Sequence, residues 1–549
     1  MNGKLTHSYF LLFLLIFSAC TDDEDPVNSD ETLLYEEMIN AIGGSTAIEN
    51  SGTISYQAVG EAFEFQEDPE PINGKVADFS YNLIYDLNGK QSKQEWSIQT
   101  DYAFETDLNF VETINENQGR NEGINGFFSQ YFAGFGVSGD PMFSTKLAAR
   151  KKTLLMSSPL AILKMISSNK IQGGKSDVIS VGYNTSSLGL GSSTPDVELV
   201  IDPKTYLPLK AQVLENDPLY GDVLYEVVYG DWIEINSIKY PTQLTHVLDG
   251  FTIRTETLSN LEVNPSFDPS ELTVPEADWA YDENEAKYGS LSSQFHFRML
   301  MVGFMEDFPV EFTDATSQLA LPSELVANDN KVFRVSGDFQ SHYTYAFQID
   351  GGILLYDSPL NNRRSSAVLE KVRSGFSSLP ISYVVNSHNH FDHVGGLRGN
   401  LAEGGELIVG AGSKESFENI LNKPYTVLLN PIAGRKVNVL GVEGEMVIGS
   451  GDEQIILYTI PTEHAEGEDF IIIYKPSTKT IYSTDLYNAG FGFVFDNLGT
   501  TNQERMSRLA KDLVEFVDFK GLDVETAYTT HGFTNQDFDF NTVRNFAGS

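Results

Sequence analysis

The sequence predicts an α/β protein of two unlike domains: a mainly antiparallel β domain over residues 31–285, then alternating strands and helices over 286–549. Three observations lead there. A chain of 549 residues exceeds what one hydrophobic core usually organises. Its first half is marked by turn pairs set between strand-like runs. Its second half alternates short apolar strands with helical patterns, the texture of a layered α/β domain. Apolar residues make up 41% of the chain and aromatic ones 12%, enough material for buried layers.

The segment before residue 31 reads as targeting sequence rather than fold. Lys4 gives a basic start, and Tyr9–Phe17 is an apolar run too short to span a bilayer stably. Phe17-Ser18-Ala19-Cys20 resembles the lipobox of bacterial lipoproteins, with Phe17 departing from the usual aliphatic residue. The resemblance implies a signal peptide over 1–19 and a diacylglycerol thioether and palmitate at Cys20. It also implies an exported protein anchored to the cell envelope, at the outer membrane on its periplasmic or surface side. Cys20 is the only cysteine, and a lone thiol in an exported chain is accounted for by modification. The acidic stretch 20–30 is then a solvated tether, and its acidic run resembles a surface-export signal. The alternative is an uncleaved membrane anchor.

Within 31–285 the pairs Asn73-Gly74, Asn88-Gly89 and Asp249-Gly250 predict two-residue hairpins. Runs at 221–229, 238–247 and 252–258 predict a meander. A helical patch over Ser144–Ile166 places Leu147, Leu154, Leu155, Leu160, Leu163 and Ile166 at roughly helical spacing. One sheet with a helix against one face is the simplest architecture. Asp202–Pro208, a Tyr-Gly-Asp strand start, Asn264–Pro269 and Val274-Pro275 resemble the half-barrel of outer-membrane lipoprotein carriers. That likeness implies a concave face able to hold an acyl chain; a scaffold without its own ligand is the alternative.

From residue 286 a helix is expected near Leu291–Phe304, then strands at Val332–Val335, Thr344–Ile349 and Ile353–Asp357 and a helix near Ser366–Phe376. The strand Ile381–Asn386 runs into His388-Asn-His390-Phe-Asp392-His393-Val-Gly395-Gly396. Two imidazoles one residue apart at a strand end can face one ion, while Asp392 and His393 on the following turn face a second. Gly395 and Gly396 let the backbone pass closely behind them. His464 ends the strand Gln454–Ile460. Asp485 ends Thr480–Asp485, which pairs with Asp469–Tyr474 through a turn at Pro476, and His531 ends Glu525–His531. Each stands where a strand gives way to a loop, the edge on which α/β sheets carry their sites.

Taken in order, His388, His390, Asp392, His393, His464, Asp485 and His531 resemble the metal-binding signature of the metallo-β-lactamase superfamily, over roughly the last 230 residues. The resemblance implies an αββα sandwich. It implies that His388, His390 and His464 hold one ion, that Asp392, His393 and His531 hold the other, and that Asp485 bridges both. Asp357, ending an apolar strand, resembles the first acidic motif, which orients the site without binding metal. With Cys20 the sole thiol, the cysteine-containing β-lactamase arrangement is ruled out. Asp485 in its place resembles the thioesterase and lactonase branches, and His390 favours zinc over the di-iron relatives. Two Zn2+ ions are expected, with iron or manganese compatible with the donors.

The expected activity is hydrolysis of an ester, thioester, lactone or related bond in a small-molecule substrate by a hydroxide bridging two metal ions, with Asp392 orienting it. Two rivals stay open: a lipid- or ligand-binding lipoprotein with a non-catalytic metal domain, and a mononuclear-iron sulfur oxygenase. Nucleic acid is not expected as a partner, because 77 acidic against 36 basic side chains leave a net charge of −41. Partners are thus a small molecule and, through the anchor, a membrane; oligomeric state is left open. His246, His296 and His342 read as structural. Arg398 offers either a contact to an anionic substrate or a salt bridge on its helix, the latter favoured.

Overall fold

The computed structural model describes residues 29–63, 74–88, 90–100, 105–124, 140–142, 144–168, 178–181, 197–274, 282, 286, 323–326, 329–336, 342–376, 378–465, 470–487, 500–530 and 537–548. The signal peptide, most of the tether, Cys20, the expected helix near Leu291–Phe304, His296 and His531 lie outside these residues.

Two helices open the described chain, α1 (Ser29–Ile42) and α2 (Ser45–Asn50). The strands that follow are β1 (Thr53–Phe63), β2 (Lys75–Asp86), β3 (Ser92–Thr100), β4 (Thr106–Ile114), β5 (Gly119–Ile124) and β6 (Asp140–Pro141). Helices α3 (Ser144–Met156) and α4 (Pro159–Ser168) intervene. The sheet resumes with β7 (Val178–Val181), β8 (Val197–Ile201), β9 (Pro208–Asp217), β10 (Gly221–Ile235), β11 (Ile238–Leu248) and β12 (Phe251–Val263). Among the described residues these form one antiparallel sheet, ordered β6-β5-β4-β3-β2-β1-β12-β11-β10-β9-β8-β7. The expected helical patch is two helices because Pro159 cannot continue α3; it opens α4 instead.

Strand alternation sends one side of each strand inward: Phe79, Tyr81, Leu83 and Tyr85 on β2 and Val223, Tyr225, Val227 and Tyr229 on β10 are all buried. Helices α3 and α4 lie against that face, with Arg150 paired to Glu112, Lys152 to Glu215, and Tyr229 Oη donating to Met156 O at 2.5 Å. Of the three expected hairpins, Asp249-Gly250 closes the two-residue turn between β11 and β12. Gly89 lies outside the described residues; β2 ends at Asp86 and β3 starts at Ser92, and Asp86 N donates to Gln91 O. Asn73-Gly74 is not a two-residue hairpin: β1 ends at Phe63 and β2 starts at Lys75. A turn dipeptide marks a bend without fixing the length of the loop around it.

The C-terminal half is a sandwich. One sheet orders β13 (Ser323–Val326), β14 (Asp329–Ser336), β15 (Tyr343–Ile349), β16 (Gly352–Tyr356), β17 (Ile381–Val385), β18 (Glu406–Gly410) and β19 (Val439–Val442). The second orders β20 (Glu445–Ile448), β21 (Ile455–Ile460), β22 (Phe470–Lys475), β23 (Thr480–Tyr482), β24 (Thr526–Tyr528) and β25 (Asp537–Asp539). Strands β16 to β19 run parallel, and the expected pairing through Pro476 is present as Ile473 opposite Tyr482.

Between the sheets Tyr345, Phe347, Tyr356, Val385 and Ile408 meet Leu457, Ile471, Ile473, Tyr482 and Tyr528 in one buried cluster. Two tyrosine hydroxyls inside it donate to backbone, Tyr356 to Ile471 O and Tyr345 to Thr529 O, each at 2.7 Å. Outside the first sheet lie α5 (Asn362–Gly375), α6 (Phe391–Val394), α7 (Leu397–Leu401) and α8 (Lys414–Asn422). Outside the second lie α9 (Thr500–Lys520) and α10 (Phe540–Ala547). Their apolar stripes, Val368, Leu369 and Val372 on α5 and Leu509, Leu513 and Val517 on α9, are buried. The layers are α, β, β, α, as expected.

Candidate metal centre

Strand β17 delivers the His-rich loop. Its parallel ladder stops at Val385, Asn386 N is held by Ile408 O, and α6 begins at Phe391 with His390 as its N-cap. Close packing behind the loop needs glycine: a Cβ on Gly396 would lie 2.8 Å from Asn361 O and 2.9 Å from Pro359 O. His464 comes from the turn after β21 and Asp485 from the turn after β23. Three loops from both sheets thus converge on one edge of the sandwich.

His388, His390, His464 and Asp485 each offer a donor atom within 4.8 Å of the others, and so, separately, do Asp392, His393 and Asp485. Asp485 belongs to both groups. Its Oδ2 lies 2.9 Å from His464 Nε2, 3.2 Å from His393 Nε2 and 3.5 Å from His388 Nε2. The imidazoles crowd together, with ring centroids 4.4 Å apart for His388 and His390 and 4.3 Å for His388 and His393. Phe470 stacks on His388 at 4.7 Å and seals that side.

Orientation comes from hydrogen bonds on the far sides of the rings. Ser387 Oγ holds His388 Nδ1 at 2.9 Å, which turns Nε2 toward the cluster. Among the described residues that buried Nε2 has no hydrogen-bond partner, and a metal ion would satisfy it. Asp357 Oδ2 lies 2.8 Å from His393 Nδ1, and its Oδ1 accepts from Ser387 N at 2.9 Å. Asp357 therefore grips both halves of the loop, and it does so from a left-handed backbone, φ +65°.

Electrostatics fits the same reading. Burial pushes His388 well below the ordinary imidazole range, helped by His393 and His390. Burial also carries His390 and His464 down to about 4. These three rings present lone pairs at neutral pH, as metal ligands must. His393 goes the other way: burial opposes its charging, but Asp485, Asp392 and Asp357 outweigh it and push it up. That is a place which attracts positive charge. Imidazole and carboxylate without thiolate suit a divalent ion of the zinc, iron or manganese kind.

Six of the seven residues expected as ligands are thus brought together, and Asp357 lies beside His393; His531 lies outside the described residues. Two other residues gain a place, and only the expectation for Arg398 changes. His342, read as structural, lies with Nε2 3.5 Å from Asp392 Oδ2, while Arg364 donates to its carbonyl at 2.7 Å. Its only signal in sequence is its place one residue before a buried strand. Among the described residues Arg398 makes no salt bridge on its helix, and it is not open to a substrate: it is fully buried and donates to Leu219 O at 3.0 Å and Ile420 O at 2.7 Å. Its partners are backbone carbonyls, one of them from the other domain, and composition cannot foretell that.

Residues 337–531 match the family model described as the metallo-beta-lactamase superfamily. No curated protein matches the chain. Among solved structures it is similar to rubredoxin oxygen:oxidoreductase from Desulfovibrio gigas, at 14% identity over 41% of this chain and TM-score 0.31. This chain spans 61% of that protein's length. It is also similar to DIM-1 metallo-beta-lactamase, at 13% identity over 42% of this chain and 96% of that one, TM-score 0.30. A metallo-beta-lactamase from Pontibacter korlensis gives 14% identity over 41% and 98%, TM-score 0.30. The site and the family match agree, and the C-terminal region of this chain is a metallo-beta-lactamase superfamily domain, an enzyme domain of the metallohydrolase type.

Proposed function

We propose that the chain hydrolyses an ester, thioester, lactone or related bond in a small molecule, using two divalent ions, zinc in the first instance. The observation that carries this is Asp485, shared by two donor groups. In this reading His388, His390 and His464 would hold one ion and Asp392, His393 and His531 the other, with Asp485 available to both. The ions would supply Lewis acidity and a water ionised near neutral pH.

The chain's own residues do the rest. Asp392 keeps 16% of its side chain exposed, the most open carboxylate of the cluster, so its oxygen can orient the attacking water and accept its proton. Asp357 fixes His393 in one tautomer and orientation. Phe470 keeps solvent from the rear of His388.

The remaining assignments belong to the same proposal. The protein is exported, lipid-anchored at Cys20 to the outer membrane, with residues 31–285 as a scaffold before the hydrolase domain. The likeness to lipoprotein-carrier half-barrels is kept as a likeness of scaffold. The sheet's inner face is filled by side chains, including the charged set Arg254, Glu256 and His246, which is a poor bed for an acyl chain.

The deciding experiment is metal content per chain, measured with turnover of ester, lactone and thioester substrates on protein purified without Cys20. Two zincs, with turnover lost in the Asp392→Ala/His393→Ala double variant, are expected. One iron would favour the sulfur-oxygenase reading; no metal would leave a binding lipoprotein.

A further inference from the structure

The two halves of the chain meet behind the metal loop. The β9–β10 turn is an Asx turn, in which Asp217 Oδ1 takes Leu219 N at 2.8 Å and Tyr220 N at 2.9 Å. With those amides satisfied, the carbonyls of Pro218 and Leu219 face the C-terminal domain. Leu219 O receives Arg398 Nε at 3.0 Å, and Pro218 O receives Asn362 Nδ2 at 3.1 Å. Arg398 lies over the ring of Tyr425 at 5.0 Å, and Tyr425 Oη takes a further bond from Asn362 at 3.2 Å.

Around this centre the domains are clamped. Asp222 accepts from Thr426 N at 2.8 Å, Thr426 Oγ1 at 2.6 Å and Val427 N at 3.2 Å. Lys423 pairs with Asp249 at 2.9 Å, and Asp222 N donates to Pro424 O at 2.8 Å.

Arg398 differs from the other contacts in what it is attached to. It sits on α7, two residues beyond Gly396. Gly396 N donates to Ser358 O at 2.8 Å, and Ser358 N donates to His393 O at 2.7 Å. Asn400 Nδ2 adds a bond to Ser358 Oγ at 2.9 Å, and Gly399 N one to Asn362 Oδ1 at 2.8 Å. From Leu219 in the β9–β10 turn to His393 the path is therefore short and buried: a hydrogen bond to Arg398, the backbone from Arg398 back to Gly396, and hydrogen bonds through Ser358 to His393.

We infer that Arg398 is a positioning residue through which the N-terminal sheet sets the geometry of the Asp392/His393 half of the metal site. The inference rests on the proposed metal reading. A full guanidinium is required because three features are used together: one N–H to each of two carbonyls at different angles, and a flat face on Tyr425. The planar fork supplies all three, whereas an ammonium supplies one at a time. The N-terminal domain thereby takes part in building the site while contributing no ligand to it.

The test uses the full chain from Cys20 onward with that cysteine replaced, loaded with Co2+, whose visible bands report ligand geometry. Arg398→Met is expected to lower affinity for the second Co2+ about tenfold and to shift its bands. Arg398→Lys is expected to recover part of both. Asp222→Asn, which loosens the same interface away from α7, is expected to lower Tm and leave the bands unchanged. Arg398→Met with wild-type bands and affinity overturns the inference while leaving the metal reading intact. So does Asp222→Asn shifting the bands as far as Arg398→Met at equal loss of Tm, since docking alone would then set the geometry. If Arg398→Met does not fold, Arg398→Lys decides, wild-type behaviour overturning the inference and a partial loss supporting it. Wild-type chain binding no Co2+ overturns the metal reading and this inference with it.

Discussion

Asp357 Oδ2 and His393 Nδ1 are 2.8 Å apart, and both side chains are closed to solvent. A carboxylate behind a ligating imidazole fixes its ring orientation and raises its donor strength. Here the same carboxylate also takes Ser387 N, so one residue aligns the start and the end of the His-rich loop.

Replacing Asp357 by Asn should therefore weaken metal binding more than it weakens the fold. Asn tolerates the left-handed backbone that Asp357 adopts, which isolates the loss of charge. Affinity measured by competition with a chromogenic chelator should fall by roughly 10–100-fold. An unchanged affinity would mean that Asp357 serves the backbone alone.

Gly396→Ala should destabilise the C-terminal domain. The new Cβ would press on Asn361 O and Pro359 O, backbone atoms that cannot swing aside. Overpacking of this kind costs about 1–3 kcal/mol, a fall in Tm of roughly 2–4 °C per kcal/mol for a domain of this size. Gly74→Ala, whose Cβ meets nothing within 4 Å, is the control and should melt with the wild type.

Acid should unfold the N-terminal sheet through Glu256 and His246. Burial pushes the Glu256 carboxyl up, but Arg254 and His246, with a 2.5 Å bond from Tyr81 Oη, outweigh it and hold it at about 2. A depressed carboxyl contributes stability that is present above its unfolded value and lost as pH falls through the folded one. His246 is held down chiefly by its burial, so unfolded chains take up its proton first, below about 6.5. Stability should thus decline from about pH 6.5 and fall further between about 4.3 and 2, by on the order of 3 kcal/mol for Glu256. Urea midpoints across that range test it. Glu256→Gln should lower the midpoint at pH 7 and flatten its lower limb; a parallel decline would refute the assignment.

Lys475→Met should cost about 3–5 kcal/mol, because it leaves Asp329 buried without its 2.8 Å partner. The pair ties β22 of one sheet to β14 of the other. The double change with Asp329→Leu should recover most of the loss in thermal unfolding. A double variant no better than the single one would show that the pair does more than neutralise itself.

Much of the site was legible because metal chemistry restricts residue types. His388, His390, Asp392, His393, His464 and Asp485 could be marked by type, spacing and their place at strand ends. Asp357 needed only the strand that ends on it. What sequence could not mark are contacts made through backbone or across domains. Arg398 binds carbonyls, and His342 reaches Asp392 only once β15 is laid beside β16. In the fold, the β11–β12 turn was readable because Asp249-Gly250 is the whole connection. The β1–β2 connection was not, since β1 ends at Phe63 and β2 starts only at Lys75, with Asn73 outside the described residues.

The order of the large sheet bears on how the chain can fold. Strands β1 to β6 and β7 to β12 each form a run of sequential neighbours, so each wing can assemble locally. The seam between them is β1 against β12, which sets Ala58 opposite Leu258. A chain delivered amino end first offers an open-edged half-sheet until its partner strand arrives, and such edges invite pairing with other chains. The seam should be the slow step, and chains interrupted before Val263 should be the ones that aggregate.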